Sequence, residues 1–116
     1  MTDKEKYLGE FEQMILLAIV RLDHHAYGST IRQLLAQEIK RDVTIGALYT
    51  TLDRLEKKGL VTSTLGEATS ERGGRAKKYF RVSADGQRAL KRSKDALTHL
   101  WQGIALSQIG GFYEQV

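Results

Sequence analysis

The sequence predicts a mainly α fold with one β-hairpin, in the order helix, helix, helix, hairpin, helix. Two patterns in its 116 residues support this prediction. Apolar residues recur at three- and four-residue spacing in four segments, which is the period of an amphipathic helix. Between the third and fourth segments the pattern changes to two short runs of β-branched and apolar residues, separated by a glycine-rich stretch that is typical of a hairpin.

The first three helices are predicted over residues 8–22, 27–39 and 44–58. Ser29 or Thr30 is the expected N-cap of the second helix and Thr44 that of the third, because a hydroxyl can accept a hydrogen bond from an otherwise unpaired amide. Gly59 stands where a helix C-terminus favours a left-handed residue. The third helix has a single predicted apolar face, made by Ile45, Leu48, Leu52 and Leu55.

The two strands of the hairpin are predicted over 60–65 and 77–82, and Ser83 is the expected N-cap of a last helix over 84–106. The last helix carries apolar residues at steps of seven, four and three, a seam wide enough to pack on another helix: Leu90, Leu97, Trp101 and Ile104. Three helices followed by a hairpin are the order of a winged helix-turn-helix domain, whose third helix lies in the major groove of DNA.

This order divides the chain into a winged helix-turn-helix domain with its N-terminal helix, over 1–82, and a dimerisation helix with a tail, over 83–116. The length of the chain suits one small core, and a core of this size gains from oligomerisation. We therefore expect one compact unit whose last helix is available to pack on a partner.

The outward face of the third helix begins with small side chains. On a helical wheel, the residues that point away from the apolar face or flank it are Gly46, Ala47, Tyr49, Thr50, Asp53, Arg54 and Lys57. Glycine inside a helix costs about 1 kcal/mol relative to alanine, and close approach to another surface is one reason to accept that cost. Thr50 and Thr51 can bond phosphates or contact a thymine methyl. The alternative is that Gly46 is neutral and the threonines are only solvated.

The predicted hairpin tip is basic. The chain carries a net charge of +4, and residues 72–81 include five cations and no acid: Arg72, Arg75, Lys77, Lys78 and Arg81. Such a tip can lie along a minor groove and neutralise phosphates. A charge run is more often a solvated surface, but its position after a helix-turn-helix favours DNA. The candidate DNA-binding residues are Thr44, Gly46, Ala47, Tyr49, Thr50, Arg54, Lys57, Arg72, Arg75, Lys77 and Lys78.

Other classes of protein are disfavoured. The absence of cysteine excludes disulfides and thiolate metal sites. The longest apolar run, 14–20, is shorter than the about 20 residues that cross a bilayer, and no basic signal-peptide segment precedes it, so we expect a soluble cytoplasmic protein with no membrane partner. His24, His25 and His99 lack further ligands at metal-binding spacing. Without a nucleophile elbow or a phosphate loop, we expect no metal, cofactor or enzymatic activity.

Four segments resemble the PadR family of transcriptional regulators: LGEFE at 8–12, AYG at 26–28, GALYTTLDRLEKKGLV at 46–61 and RGGRAKKYF at 72–80. The resemblance covers residues 8–106, and the segment at 46–61 is quite specific. Many members have proline after the Leu-Tyr pair, where this chain has Thr50. With one C-terminal helix, the chain is similar to the short subgroup of the family.

The resemblance implies a winged-helix homodimer that usually represses transcription at a palindromic operator. The dimer interface it implies combines the last helix with the first: Phe11, Ile15, Leu90, Leu97, Trp101 and Ile104. Because some members bind flat aromatic compounds at this interface, Trp101 is a candidate for stacking on a small aromatic effector, although packing is the commoner role. The alternative function is a protein-interaction module without DNA contact, which would not need the cations of the hairpin tip.

Overall fold

The computed structural model describes residues 7–66, 77–106 and 109, whose elements follow the predicted order. These residues form four α-helices and one antiparallel hairpin: α1 Glu10–Leu22, α2 Gly28–Ile39, α3 Ile45–Lys57, β1 Val61–Leu65, β2 Lys78–Val82 and α4 Ala84–Trp101. A 3-10 turn, Asp23–His25, separates α1 from α2. The predicted fold class, mainly α with a hairpin after the third helix, is confirmed.

The core lies where α1, α2 and α3 meet the inner face of the hairpin. Its largest fully buried side chains are Ile15, Leu16, Ile19, Ile31, Leu48, Leu52, Leu55, Val61 and Phe80. Burial of a side chain of this size contributes about 1.5–3 kcal/mol. The segment before α2 also pairs with the hairpin, since the Phe80 amide donates to the Ala26 carbonyl at 2.9 Å. The base of the hairpin is thus fixed both by the core and by the chain between α1 and α2.

Both ends of α3 are capped as predicted. The Thr44 hydroxyl accepts a hydrogen bond from the Ala47 amide at 3.1 Å. At the other end, Gly59 has a φ of 78°, and its amide donates to the Glu56 carbonyl at 2.9 Å. The Leu60 amide donates to the Leu55 carbonyl at 2.9 Å, which completes a Schellman motif. The chain therefore leaves α3 by a sharp turn that leads directly into β1.

The predicted apolar face of α3 is wrong at two positions. Ile45 is 49% exposed, whereas Thr51 is only 4% exposed. Because α1, α2 and β1 all contact α3, its tertiary neighbours decide this difference, and they leave its first turn open. Buried Thr51 is therefore not available for a phosphate or a thymine methyl, contrary to the expectation.

Two helix boundaries also differ from the prediction. Ser29 and Thr30 lie inside α2, whose N-cap is Tyr27, and the Thr30 hydroxyl accepts a hydrogen bond from the Tyr27 amide at 3.0 Å. The last helix ends at Trp101 rather than at residue 106, since Gly103 adopts a φ of 78° that a helix cannot contain. Ser83 caps α4 as predicted, through a hydrogen bond from the Gly86 amide at 3.0 Å.

Glu12 of α1 joins the N-terminal segment to the C-terminal end of α3. Its carboxylate accepts a hydrogen bond from the Gly9 amide at 2.9 Å, and its Oε2 atom lies 3.1 Å from Lys58 Nζ and 3.7 Å from Arg54 Nε. Burial raises the pKa of this carboxyl, but the Gly9 hydrogen bond and the charges of Lys58 and Arg54 outweigh it. The pKa of Glu12 is therefore lowered from its ordinary value of 4.5.

The Glu12 contacts predict a pH-dependent contribution to stability. Since the pKa is lowered in the folded chain, the contribution is present above the unfolded-state pKa and disappears as the pH falls through the folded-state pKa. Glu12→Gln should lower the free energy of unfolding by about 1 kcal/mol at pH 7, because both cations are half exposed and screened by solvent.

Urea unfolding at pH 7 and at pH 3 measures this effect. Glu10→Gln is the matched control, because Glu10 lies on the same helix with an 80% exposed side chain. We expect the difference between wild type and Glu12→Gln to shrink at pH 3, and the control to change little at either pH. An equal loss at both pH values would contradict the assignment.

Candidate nucleic-acid interface

The first two turns of α3 present an open surface made of small residues. Thr44, Gly46, Ala47 and Thr50 are all exposed. A β-carbon built on Gly46 meets no atom of the chain within 4 Å. The fold itself therefore does not need a glycine at this position, and the space in front of the helix is free for another molecule.

Tyr49 borders this surface and packs on the start of α2. Its side chain is 40% exposed, as expected for a residue at the edge of the apolar face. Gly28, the first residue of α2, is buried beneath it, and a β-carbon there would lie 2.9 Å from Tyr49 Cζ and closer still to the hydroxyl. Glycine at 28 thus permits the tyrosine ring to rest against α2.

The predicted cations of α3 lie beside the small surface and are paired within the chain. Arg54 Nε is 3.7 Å from Glu12 Oε2, and Lys57 Nζ is 3.2 Å from Asp53 Oδ2. The side chains of Arg54 and Lys57 remain at least half exposed. Because exposed ion pairs of this kind are weak, the cations stay available to a phosphate group.

Lys77 and Lys78, the predicted DNA-binding cations of the hairpin that the structure describes, stand next to aromatic rings. Lys77 Nζ lies 4.4 Å from the centroid of the Tyr27 ring, and Tyr27 packs edge-on against Tyr79 with 5.2 Å between centroids. Lys78 Nζ is 3.7 Å from Glu56 Oε1 and 5.7 Å from the Phe80 ring centroid. The other two predicted contacts of the tip, Arg72 and Arg75, lie outside the described residues.

An open groove of about 430 Å³ separates α3 from the hairpin. It is lined by Tyr49, Thr50, Leu52, Asp53, Glu56, Lys78 and Phe80. The fold therefore brings predicted residues of the helix and of the hairpin to the same groove. Sequence analysis missed the roles of Glu12 and Glu56, because no spacing pattern indicates which cation in another element a surface carboxylate will pair with.

The apolar residues predicted for a dimer interface fall into two groups. Leu97, Trp101 and Ile104 are about half exposed, whereas Leu90 packs partly against the core. On α1, Phe11 is half-buried beneath the Arg41 guanidinium, 5.0 Å from the ring centroid. Ile15 is 0% exposed and belongs to the core of its own chain, so the expectation that it offers surface to a second copy is wrong.

Leu17 and Val20 are the α1 side chains that do offer apolar surface, since each is more than half exposed. Helical spacing places both on the side of α1 away from the predicted apolar face, which agrees with their exposure. Within the described residues, no helix is long and apolar enough to cross a membrane. The same part of the chain holds no group of three or more acidic or histidine side chains that could bind a metal ion.

Comparison with known proteins identifies the family. The model of the transcriptional regulator PadR-like family matches residues 16–92. A PadR-like transcription factor from Bacteroides fragilis has 27% identity and a TM-score of 0.63, with 78% of this chain and 82% of that chain covered. A PadR-like transcriptional regulator from Bacillus cereus has 27% identity and a TM-score of 0.61, with 81% and 93% covered.

A third solved structure is similar in fold. RosR from H. salinarum has 24% identity and a TM-score of 0.64, with 84% of this chain and 81% of that chain covered. A comparison with curated proteins found no match. The match to the family model extends over most of the winged helix-turn-helix and the first half of α4, and the chain therefore belongs to the PadR-like family of transcriptional regulators.

Proposed function

We propose that this chain is a homodimeric repressor that binds a pseudo-palindromic operator through α3 and the hairpin. The observation that supports this most directly is the open surface of small residues on the first two turns of α3, flanked by cations. The N-terminal residues of a recognition helix contact base edges, and small side chains let its backbone approach them. The repressive role follows the usual activity of the family.

The chemistry of the side chains assigns a different contact with DNA to each group of residues. Thr44 and Thr50 carry hydroxyl and methyl groups that can bond a phosphate or a base edge and contact a thymine methyl. Arg54 and Lys57, farther along α3, can contact phosphates on the border of the major groove. The cations of the hairpin, Arg72, Arg75, Lys77 and Lys78, neutralise phosphates next to the minor groove.

Exposed apolar residues in the second half of α4 and just after it support dimerisation. Leu97, Trp101 and Ile104 continue into other exposed apolar side chains of the same segment, Leu100 and Leu106. A contiguous apolar surface of this kind on a soluble domain marks an interaction site. In the proposed dimer, residues 83–116 form the interface and 1–82 the DNA-binding unit, and the half-exposed Trp101 indole is available to stack on a small aromatic effector.

The free space at Gly46 predicts opposite effects on folding and on binding. Gly46→Ala should raise the free energy of unfolding by up to about 1 kcal/mol, because alanine is the better helix former and its methyl group meets no other atom. The same methyl group should weaken operator binding about tenfold by keeping the backbone away from the bases. Thermal unfolding and fluorescence anisotropy with a duplex selected from random DNA measure the two effects. An operator affinity equal to that of wild type would refute close approach at residue 46.

The hairpin tip predicts a change in salt dependence. In Arg72→Ala/Arg75→Ala, the slope of log K against log salt concentration should fall by about 1.8, since each phosphate contact contributes about 0.9. Binding to operator and unrelated duplexes should weaken alike. Lys91→Ala/Lys94→Ala is the matched control, as it removes the same charge from exposed positions of α4. If both double variants change the slope equally, the tip makes no specific phosphate contact.

The apolar surface of α4 predicts a dimer that one charge can break. Leu97→Asp would bury a carboxylate in an apolar interface at a cost of several kcal/mol, so the variant should sediment as a monomer at micromolar concentration. Because each protomer contacts half of the operator, its DNA affinity should also fall steeply. Leu65→Asp is the control for dimerisation, since Leu65 is an exposed leucine of the hairpin. A wild-type monomer that binds a palindrome tightly would disprove the proposed architecture.

A further inference from the structure

The hairpin is buried in the core at only one end. Val61 and Phe80 are fully buried, whereas Leu65, at the far end of β1, is 73% exposed. A two-stranded hairpin without further packing is only marginally stable in water. Farther out, Tyr79 packs on Tyr27, the residue before α2. A fixed position of the outer half of the hairpin relative to α3 therefore depends on contacts that reach α3 itself.

Glu56, in the last turn of α3, makes one contact with each strand. Its Oε2 atom accepts a hydrogen bond from the Ser63 hydroxyl of β1 at 2.6 Å, and its Oε1 atom lies 3.7 Å from Lys78 Nζ of β2. Ser63 stands opposite Phe80 in the ladder and Lys78 stands opposite Leu65, two rungs farther out, so both contacts lie on one face of the hairpin. A single carboxylate thus connects α3 to both strands, at the level where apolar burial ends.

We propose that Glu56 is a positioning residue that fixes the spacing between α3 and the hairpin, so that both elements contact one DNA site at the same time. This inference rests on the proposed function. Glu56 lines the groove that faces the proposed DNA site, and a carboxylate there repels phosphates. If Glu56 acted only through its charge, it would weaken binding to every duplex alike. Positioning instead favours the operator over other sequences, because only on the operator do base contacts by α3 form together with the phosphate contacts of the hairpin.

Asp53 provides a matched control for the charge. It lies on α3 three residues before Glu56, lines the same groove and carries the same negative charge. Its ion pair, however, is with Lys57 at 3.2 Å and stays within α3. Asp53→Ala therefore removes a carboxylate without removing a link between α3 and the hairpin.

The experiment compares two duplexes of equal length, one selected by the wild-type protein from random DNA and one scrambled. We expect Glu56→Ala to bind the scrambled duplex at least as tightly as wild type does, but to lose about tenfold in its preference for the selected duplex. Ser63→Ala, which changes no charge, should lose about threefold in that preference. Asp53→Ala should bind both duplexes somewhat more tightly and keep the wild-type preference.

Each other outcome decides against the proposal. If Glu56→Ala behaves like Asp53→Ala, Glu56 acts only as a surface charge. An equal loss on both duplexes, with a lower melting temperature, would mean that Glu56 supports folding rather than spacing. Glu56→Gln distinguishes positioning from a surface charge and from support of the fold. It removes the charge, but its amide oxygen can still accept the Ser63 hydrogen bond, so we expect a stronger preference for the selected duplex than that of Glu56→Ala. If the wild-type protein selects no sequence from random DNA, the proposed function is wrong, and so is the role of Glu56 that rests on it.

Discussion

The burial of one side of α3 is the constraint on which the rest of the structure depends. Leu48, Leu52 and Leu55 are fully buried and contribute a total on the order of 5–9 kcal/mol of apolar stabilisation. α1, α2 and β1 all contact this helix, so a rotation of α3 would disturb each of them. The opposite side of α3 can therefore carry glycine and threonine, which add little to stability, without loss of a defined orientation.

Much of this arrangement could be predicted from the sequence, because it depends on local patterns. Helical spacing identified all four helices. Thr44 and Ser83 cap α3 and α4 through hydroxyl groups that accept hydrogen bonds from nearby amides, and Gly59 follows the end of α3. Gly103 carried the signal for the end of α4, but the apolar spacing continued to Ile104 and indicated a longer helix. The residues themselves thus contained the information for most boundaries.

The exposure of individual side chains could not be predicted in the same way. Ile45 and Thr51 lie on opposite flanks of the apolar face, and the positions of the elements around α3 determine that the threonine is buried and the isoleucine is not. The pairing of Glu12 with Arg54 and of Glu56 with Lys78 likewise joins elements that are distant in sequence. Such contacts depend on the assembled tertiary structure and have no periodic signature.

The paired cations also bear on how DNA binding responds to salt. Arg54, Lys57 and Lys78 each have a carboxylate within 4 Å, so part of their positive charge is offset within the chain. A phosphate that contacts one of them also meets the negative charge of the neighbouring carboxylate, so the pair displaces fewer of the cations condensed on DNA than an unpaired cation would. The number of basic residues near the interface therefore overstates the salt dependence that they can generate.

The contact between Gly28 and Tyr49 has a consequence for how the sequence can change. A β-carbon at residue 28 would occupy the space of the Tyr49 ring, so a larger residue there requires a rotated Tyr49 side chain, a smaller side chain at 49 or a displaced α2. The two positions consequently behave as an epistatic pair in which the order of substitutions matters. An evolutionary route that first shortens the side chain at residue 49 meets no such clash, whereas one that begins at the start of α2 must first displace the Tyr49 ring.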